Sequence, residues 1–205
     1  MRKGDEVRVT DGLGNLYTCV LSAAEPEGCL LEIHKTEKGE GKHPFHLHVA
    51  ICPTKSNERF DWFLEKATEI GIDRITPVFT DRSERRILKT DRAKKVILAA
   101  MKQSLRTYLP VMDEPVMLPR FLEMDLPGEK FIASCETGTG SSLAKLYNKG
   151  CDAVILIGPE GDFTGEEITA AKKSGFKEIS LGYGRFRTET AGIVACHTVH
   201  LLNEL

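Results

Sequence analysis

Three short glycine-bearing runs lie in the second half of a chain of 205 residues: Glu136-Thr137-Gly138-Thr139-Gly140, Gly158-Pro159-Glu160-Gly161-Asp162-Phe163, and Gly182-Tyr183-Gly184-Arg185-Phe186-Arg187-Thr188-Glu189-Thr190-Ala191. Glycine reaches conformations closed to other residues and lets the main chain approach a ligand, so N–H and C=O groups can do the binding. Such loops suit an adenine and a ribose. A tight turn with a helix cap would explain any one of them; three together favour a small-molecule pocket. Neither a G-x-x-x-x-G-K-[ST] run nor a G-x-G-x-x-G after a first strand is present, which disfavours a triphosphate or a dinucleotide.

The third run carries the most chemistry. Thr188, Glu189 and Thr190 precede an apolar stretch and could be plain helix-capping residues. Arg185 and Arg187 just before them are odd, because a helix N-terminus is already positive. Two guanidinium groups there fit the arrival of an anion, a phosphate or an oxyanion developing on a base. A second basic feature lies upstream. Asp81–Arg106 holds nine basic residues, among them Arg82, Arg85, Arg86, Lys89, Lys102 and Arg106, against three acidic ones. That window is +6 within a chain of net charge −2, so the remainder is −8. A localised strip of this kind suits phosphate contacts, although a solvated helix face reads the same way. His43, His46 and His48 cluster, and His197 and His200 lie one turn apart, but no cysteine stands at ligand spacing from either group, so no metal is expected. The six cysteines are scattered and read as reduced thiols.

Elements must bring these groups together. Composition is that of a globular domain, with no apolar run long enough for a membrane span and no apolar leader after Met1-Arg2-Lys3, which points to the cytoplasm. Residues 1–45 read as short β-structure: Val7 and Val9, then Leu16 to Leu21, then Cys29 to Ile33, separated by Asp11-Gly12-Leu13-Gly14-Asn15 and Glu25-Pro26-Glu27-Gly28. Three strands close no barrel; either they lean on the main domain or strands are missing. Thr36–Lys42 reads as a linker. From residue 46 strands alternate with helices. Strands are expected at Leu47–Cys52, Ile75–Phe79, Phe131–Cys135, Ala153–Ile157 and Glu178–Leu181. Helices are expected at Glu58–Ile70, at Asp91–Arg106, from a capping box at Thr164-Gly165-Glu166-Glu167 to Gly175, and from about Thr190 to Leu202. That alternation predicts a mostly parallel sheet covered on both faces, with ligands gathered beyond the strands' carboxyl ends, where the three glycine runs fall.

Ile157-Gly158-Pro159-Glu160-Gly161-Asp162-Phe163, Leu181-Gly182 and Arg185-Phe186-Arg187-Thr188-Glu189-Thr190-Ala191 resemble the closing motifs of the RsmE family, ribosomal RNA uracil-N3 methyltransferases of the SPOUT superfamily. Lys66-Ala67-Thr68-Glu69-Ile70-Gly71, Ile75-Thr76-Pro77, Arg82-Ser83 and Lys102-Gln103-Ser104 extend the likeness in order over residues 47–205. The resemblance implies an α/β domain with a C-terminal trefoil knot, preceded by a PUA-like β-barrel, here expected to be partial. It implies S-adenosyl-L-methionine bent in the knot, held by Cys135, Glu136, Ile157, Gly158, Pro159, Glu160, Gly161, Leu181, Gly182, Phe186, Arg187, Thr188, Thr190 and Ala191. It also implies a homodimer through the knotted domain, acting on 16S rRNA or the small ribosomal subunit. Three departures stand out. Asp162 replaces a usual glycine and is read as a helix-start carboxylate, Tyr183-Gly184 replaces a small or hydrophobic turn, and the family's basic opening strand is missing ahead of Gly4-Asp5.

Uridine N3 keeps its proton at neutral pH, so methyl transfer requires loss of that proton and stabilisation of charge shared with O2 and O4. Arg187 is the expected stabiliser, since a guanidinium offers paired donors to a planar anion. Arg185 is the second candidate, or a phosphate contact. Glu189 and Glu160 are possible bases, with a helix-start role the commoner alternative. The target must be unpaired or flipped out. Other readings are a related enzyme with a different RNA target, a non-catalytic RNA-binding module, and an α/β enzyme using the loops for another cofactor.

Overall fold

The computed structural model describes every residue except 26–27, 40–41 and 135–140, so parts of the expected turn at Glu25–Gly28, the Thr36–Lys42 linker and the first glycine run lie outside the described residues. The chain divides into two compact units. One is Met1–Lys42 with Met101–Leu109, the other His43–Ala100 with Pro110–Leu205.

In the first unit, β1 (Glu6–Thr10), β2 (Asn15–Glu25) and β3 (Gly28–Lys38) form an antiparallel sheet in that order. Asp11 closes the first turn. Its carboxylate accepts from the Leu13 and Asn15 backbone N–H groups at 2.8 and 3.1 Å and from Asn15 Nδ2 at 2.6 Å. Gly14, at φ 99°, has the Tyr108 ring where a Cβ would stand. Around it the 101–109 segment pairs with the turn, Gly14 N donating to Thr107 O at 2.9 Å and Leu109 N to Gly12 O at 2.8 Å.

The second unit runs β4 (Leu47–Ile51), α1 (Asn57–Ile70), β5 (Arg74–Phe79), α2 (Thr90–Gln103, whose last turn falls in the first unit), β6 (Val111–Met112), β7 (Val116–Met117), α3 (Leu118–Leu122), β8 (Glu129–Ala133), β9 (Ser141–Ser142), α4 (Leu143–Leu146), β10 (Ala153–Ile157), α5 (Gly165–Lys173), β11 (Lys177–Ser180) and α6 (Thr188–Glu204). The sheet order is β6-β5-β4-β10-β8-β11-β9, with β7 also on β5, and its described pairings are parallel.

Alternate side chains of the central strands enter opposite cores. Ile155 and Ile157 join Phe60, Phe63, Ala195 and Val199 on one face, whereas Val154 and Leu156 join Phe121, Phe163, Ile168 and Phe176 on the other. Burial on both faces is why these strands read as unbroken apolar runs. Helix α1 turns Phe60, Phe63, Leu64 and Ala67 inward and stops at Gly71, whose φ of 120° only glycine takes readily. The Thr164–Glu167 capping box opens α5. Helix α6 lies close on α1 because Gly192 has no Cβ; one would come within 2.5 Å of the Phe63 ring.

Helix α2 ends at Gln103 and not at Arg106 as expected. Leu105 turns to φ 57° and Arg106 N donates to Met101 O at 3.0 Å, after which the chain enters the first unit. Helix α6 begins at Thr188, two residues earlier than expected.

Under the sheet, buried His48 contacts Thr76 Oγ1 through Nε2 at 2.7 Å. Thr76 donates in turn to Asp113, which also takes Arg74 Nε at 2.8 Å, so His48 is the donor to Thr76. Burial, then the Arg74 charge, lowers the His48 pKa to about 4. The unfolded chain binds this proton below about pH 6.5 and the folded chain does not until about pH 4. Stability is therefore complete above pH 6.5 and falls as pH drops through that window, by about 3 kcal/mol in all. Urea midpoints measured from pH 7 to 4.5 should show the fall, and His48→Gln should flatten it.

Candidate active site

Strands β10, β8 and β11 are adjacent and parallel, so the segments that follow them leave the same edge of the sheet. These are the three glycine runs of the sequence. The one after β8, with Cys135 and Glu136, lies outside the described residues.

The run after β10 is held from several directions. Ile157 O accepts from Cys52 N at 3.0 Å, and Gly158 O accepts from the buried Thr188 Oγ1 at 3.0 Å, which ties this loop to the start of α6. Gly158 and Pro159 are buried, and a Cβ on Gly158 would come within 2.9 Å of the Phe163 ring. Asp162 N donates to Pro159 O at 3.0 Å, and Asp162 sits at φ 59° with its carboxylate accepting from Phe163 N at 2.8 Å. Asp162 thus holds a tight left-handed turn and is not the helix-start carboxylate expected; Thr164 takes that place. Glu160 accepts from Lys55 N at 3.2 Å.

Arg82, in the basic strip, also reaches the β10 loop. Its Nη1 donates to Gly161 O at 3.0 Å and Phe163 O at 3.1 Å, so this guanidinium braces the β10 loop. Arg85 donates to Ile87 O at 2.7 Å and has its pKa lowered by burial; Arg86 donates to Asp81 O at 2.9 Å, and Arg92 pairs with Asp61 at 2.5 Å. Lys89 is exposed. Lys102 and Arg106 fall in the first unit and the rest in the second, a division invisible in the charge count.

After β11, Ser180 Oγ donates to Gly182 O at 3.0 Å, partly buried Leu181 packs on the core, and the Phe186 ring lies 3.3 Å from where a Gly182 Cβ would be. Arg187 stands at the N-cap of α6 with no side-chain cap bond, and Ala191 N donates to its carbonyl at 2.8 Å. Arg185, Phe186, Arg187, Glu189 and Thr190 line a cleft of about 510 Å³ with Glu58, Arg59 and Trp62 from α1. Glu189 is buried, its Oε1 3.9 Å from Arg59 Nε, and its Oε2 has no hydrogen-bond partner among the described residues. The α1 contribution was not anticipated. A signal existed: Glu58, Arg59 and Trp62 form a stripe at helical spacing off the apolar face, with the chain's single tryptophan in it.

His43 and His200 both reach the Gly71 carbonyl, at 2.8 and 3.2 Å. Among the described residues no group of three or more His, Cys, Asp and Glu is placed to hold a metal, and no helix is long and apolar enough to cross a membrane.

A parallel sheet with loops leaving the ends of neighbouring strands, and a small antiparallel sheet before it in sequence, is the arrangement of an RNA methyltransferase. Residues 41–200 match the RNA methyltransferase domain family and residues 1–33 the RNA methyltransferase PUA domain. The chain belongs to the ribosomal RNA small subunit methyltransferase E family. It is 31% identical to the protein of that name from Mesomycoplasma hyopneumoniae, over 82% of this chain and 75% of the relative. The crystal structure of a probable rRNA-methyltransferase from Porphyromonas gingivalis superposes with a TM-score of 0.93 at 36% identity, over 100% of this chain and 87% of the other. The ribosomal RNA small subunit methyltransferase E from Neisseria gonorrhoeae, crystallised with S-adenosylmethionine, superposes with a TM-score of 0.89 at 26% identity, over 98% and 85%.

Proposed function

We propose that this protein uses S-adenosylmethionine to methylate N3 of a uridine in 16S rRNA. The observation that carries this reading is the junction of the cofactor-type loops with a guanidinium-lined cleft: Thr188 bonds Gly158, and the next residues, Glu189 and Thr190, line the cleft with Arg185 and Arg187.

The residues fit the cofactor. A Cβ at Gly158 or Gly182 would meet Phe163 or Phe186, which leaves bare backbone against an aromatic wall at two strand ends. Ile157 to Gly161 would hold it from β10 and Leu181, Gly182, Phe186, Arg187, Thr188, Thr190 and Ala191 from the third run, with Cys135 and Glu136 from the run between. When bound, the cofactor supplies a sulfonium methyl, already electrophilic. The protein's part is to orient the base, exclude water and stabilise the charge left when N3 gives up its proton. Arg187 donates to that delocalised charge, Arg185 serves as a second donor or a phosphate contact, and Glu189 takes the proton. Arg85, Arg86, Lys89, Lys102 and Arg106 contact RNA phosphates, which makes binding salt-dependent. Residues 1–45 act as a PUA-like RNA-binding domain and 46–205 as the catalytic domain, in a cytoplasmic homodimer formed through its knotted part.

Arg82→Ala frees the Gly161 and Phe163 carbonyls. It is expected to weaken S-adenosylmethionine binding about tenfold, the loss of roughly one charge-assisted hydrogen bond, with little change in the salt slope of RNA binding. Calorimetry and salt-dependent filter binding separate the two. The function itself is tested by calorimetric titration with S-adenosylmethionine and S-adenosylhomocysteine. Saturable binding lost on bulky substitution at Gly158 or Gly182 supports it; no binding by the folded protein points to an RNA-binding module without catalysis.

A further inference from the structure

We propose that the cleft formed by Arg59 and Trp62 of α1 with the start of α6 reads the Watson–Crick edge of an unpaired uracil, Glu189 accepting from N3–H and the guanidinium groups of Arg59 and Arg187 donating to the carbonyls on either side. The inference rests on the methyltransferase reading above and adds how one base is chosen.

Glu189 is the starting point. It is 6% exposed, and a buried carboxylate is costly unless donors satisfy it. Its Oε2 has no partner among the described residues, and its Oε1 has only the Arg59 ion pair at 3.9 Å, longer than a hydrogen bond. Among the described residues nothing supplies the missing donor, so the carboxylate is short of a donor that a ligand in this cleft would bring. The groups sharing the cleft say which ligand. Arg59, Arg185 and Arg187 bring guanidinium donors to the cleft, Glu189 is the buried one of its two carboxylates, Glu58 being exposed, and Trp62 and Phe186 are aromatic rings left 43% and 40% exposed beside them. Half-open aromatic rings next to guanidinium groups are the means by which proteins hold an unstacked base.

The hydrogen-bond pattern then selects among bases. Uracil presents acceptor, donor, acceptor along O2, N3–H and O4. A carboxylate flanked by guanidinium groups presents the complement: donor, acceptor, donor. Cytosine turns a lone pair at N3 toward the carboxylate and an amino group toward a guanidinium, so two of three contacts become repulsive. A uracil already methylated at N3 has no proton to give and carries bulk where the carboxylate stands. The same cleft therefore prefers uridine over cytidine, and unmodified uridine over the methylated product.

Trp62 is the only tryptophan in the chain, so intrinsic fluorescence reports on this cleft alone. The probes are short oligoadenosine RNAs with one central uridine, cytidine or N3-methyluridine, titrated without cofactor. The uridine probe should quench Trp62 saturably and bind about tenfold or more tighter than the other two, the discrimination typical of a lost bidentate base contact. In Glu189→Ala and in Arg59→Met that preference should shrink to about twofold. Arg59 is half exposed, so its variant keeps the test available should Glu189→Ala fail to fold. Equal binding of the three probes, no quenching by any of them, or a preference that survives both substitutions overturns the proposal. So does quenching by S-adenosylmethionine alone that competes with the uridine probe, which would make the cleft the cofactor's. A protein that methylates uridine N3 yet fails to discriminate loses only this inference; one that binds no cofactor and methylates nothing fails the functional reading, whatever Trp62 reports.

Discussion

Arg187→Ala is expected to lower methyl transfer to uridine by about 10²–10³-fold, the range for removing one preorganised donor from a developing anion. Arg187 lies at the N-cap of α6 without a side-chain bond to the helix, and its guanidinium lines the cleft that Glu189 also lines. A residue so placed contributes little to folding, so thermal melting should shift by no more than an ordinary surface substitution does. Arg187→Lys keeps the charge but not the planar fork, and should recover only part of the rate. Single-turnover transfer of a labelled methyl group to RNA, at saturating cofactor, isolates the chemical step. A normal rate in Arg187→Ala would remove that residue from the mechanism and leave Arg185 as the candidate.

The second large effect is expected at Gly158. A valine there would drive its Cβ to within 2.9 Å of the Phe163 ring, which is itself fully buried and cannot withdraw. The backbone would have to shift, and with it the Gly158 carbonyl that accepts from Thr188 and joins the β10 loop to the α6 start. S-adenosylmethionine affinity should fall by about a hundredfold or more, since hydrogen-bonding geometry is lost at both loops together. Gly182→Val meets a softer neighbour, the half-exposed Phe186 ring at 3.3 Å, and should cost less. Calorimetric titration of both variants, with circular dichroism as the check on folding, measures the difference. Affinity within twofold of the parent for Gly158→Val would mean that the β10 loop is not the cofactor's cradle.

Much of the catalytic domain's fold could be read in the chain because its determinants are local. Ala153–Ile157 is a continuous apolar run, and Leu47–Ile51 is one but for His48, for the reason that both faces of a parallel sheet are covered, and the Thr164–Glu167 box needs only its own four residues. Elements of two to five residues, such as Val111–Met112, Val116–Met117 and Leu118–Leu122, are too short to show any period and were not foreseen. Nor was the return of Met101–Leu109 to the N-terminal sheet, since it depends on Gly12 accepting from Leu109 and Gly14 donating to Thr107, both far along the chain. The candidate site divides in the same way. Arg185, Phe186, Arg187, Glu189 and Thr190 come from one segment and could be seen together. Glu58, Arg59 and Trp62 join them only because α1 packs on α6 across Gly192, a contact no local pattern announces. Arg82 has a second part to play that its charge does not announce. Its charge counts with the basic strip, while its hydrogen bonds to Gly161 and Phe163 are set by a loop far along the chain.

The most direct test of the central claim is nucleoside mass spectrometry of 16S rRNA, incubated with the purified protein and methyl-labelled S-adenosylmethionine as free RNA and as small ribosomal subunits. Label is expected in N3-methyluridine, at one position, in at least one of the two substrates, and at a rate about 10²–10³-fold lower with Arg187→Ala. Label in a different nucleoside, or no transfer to either substrate by protein that binds the cofactor, would contradict it.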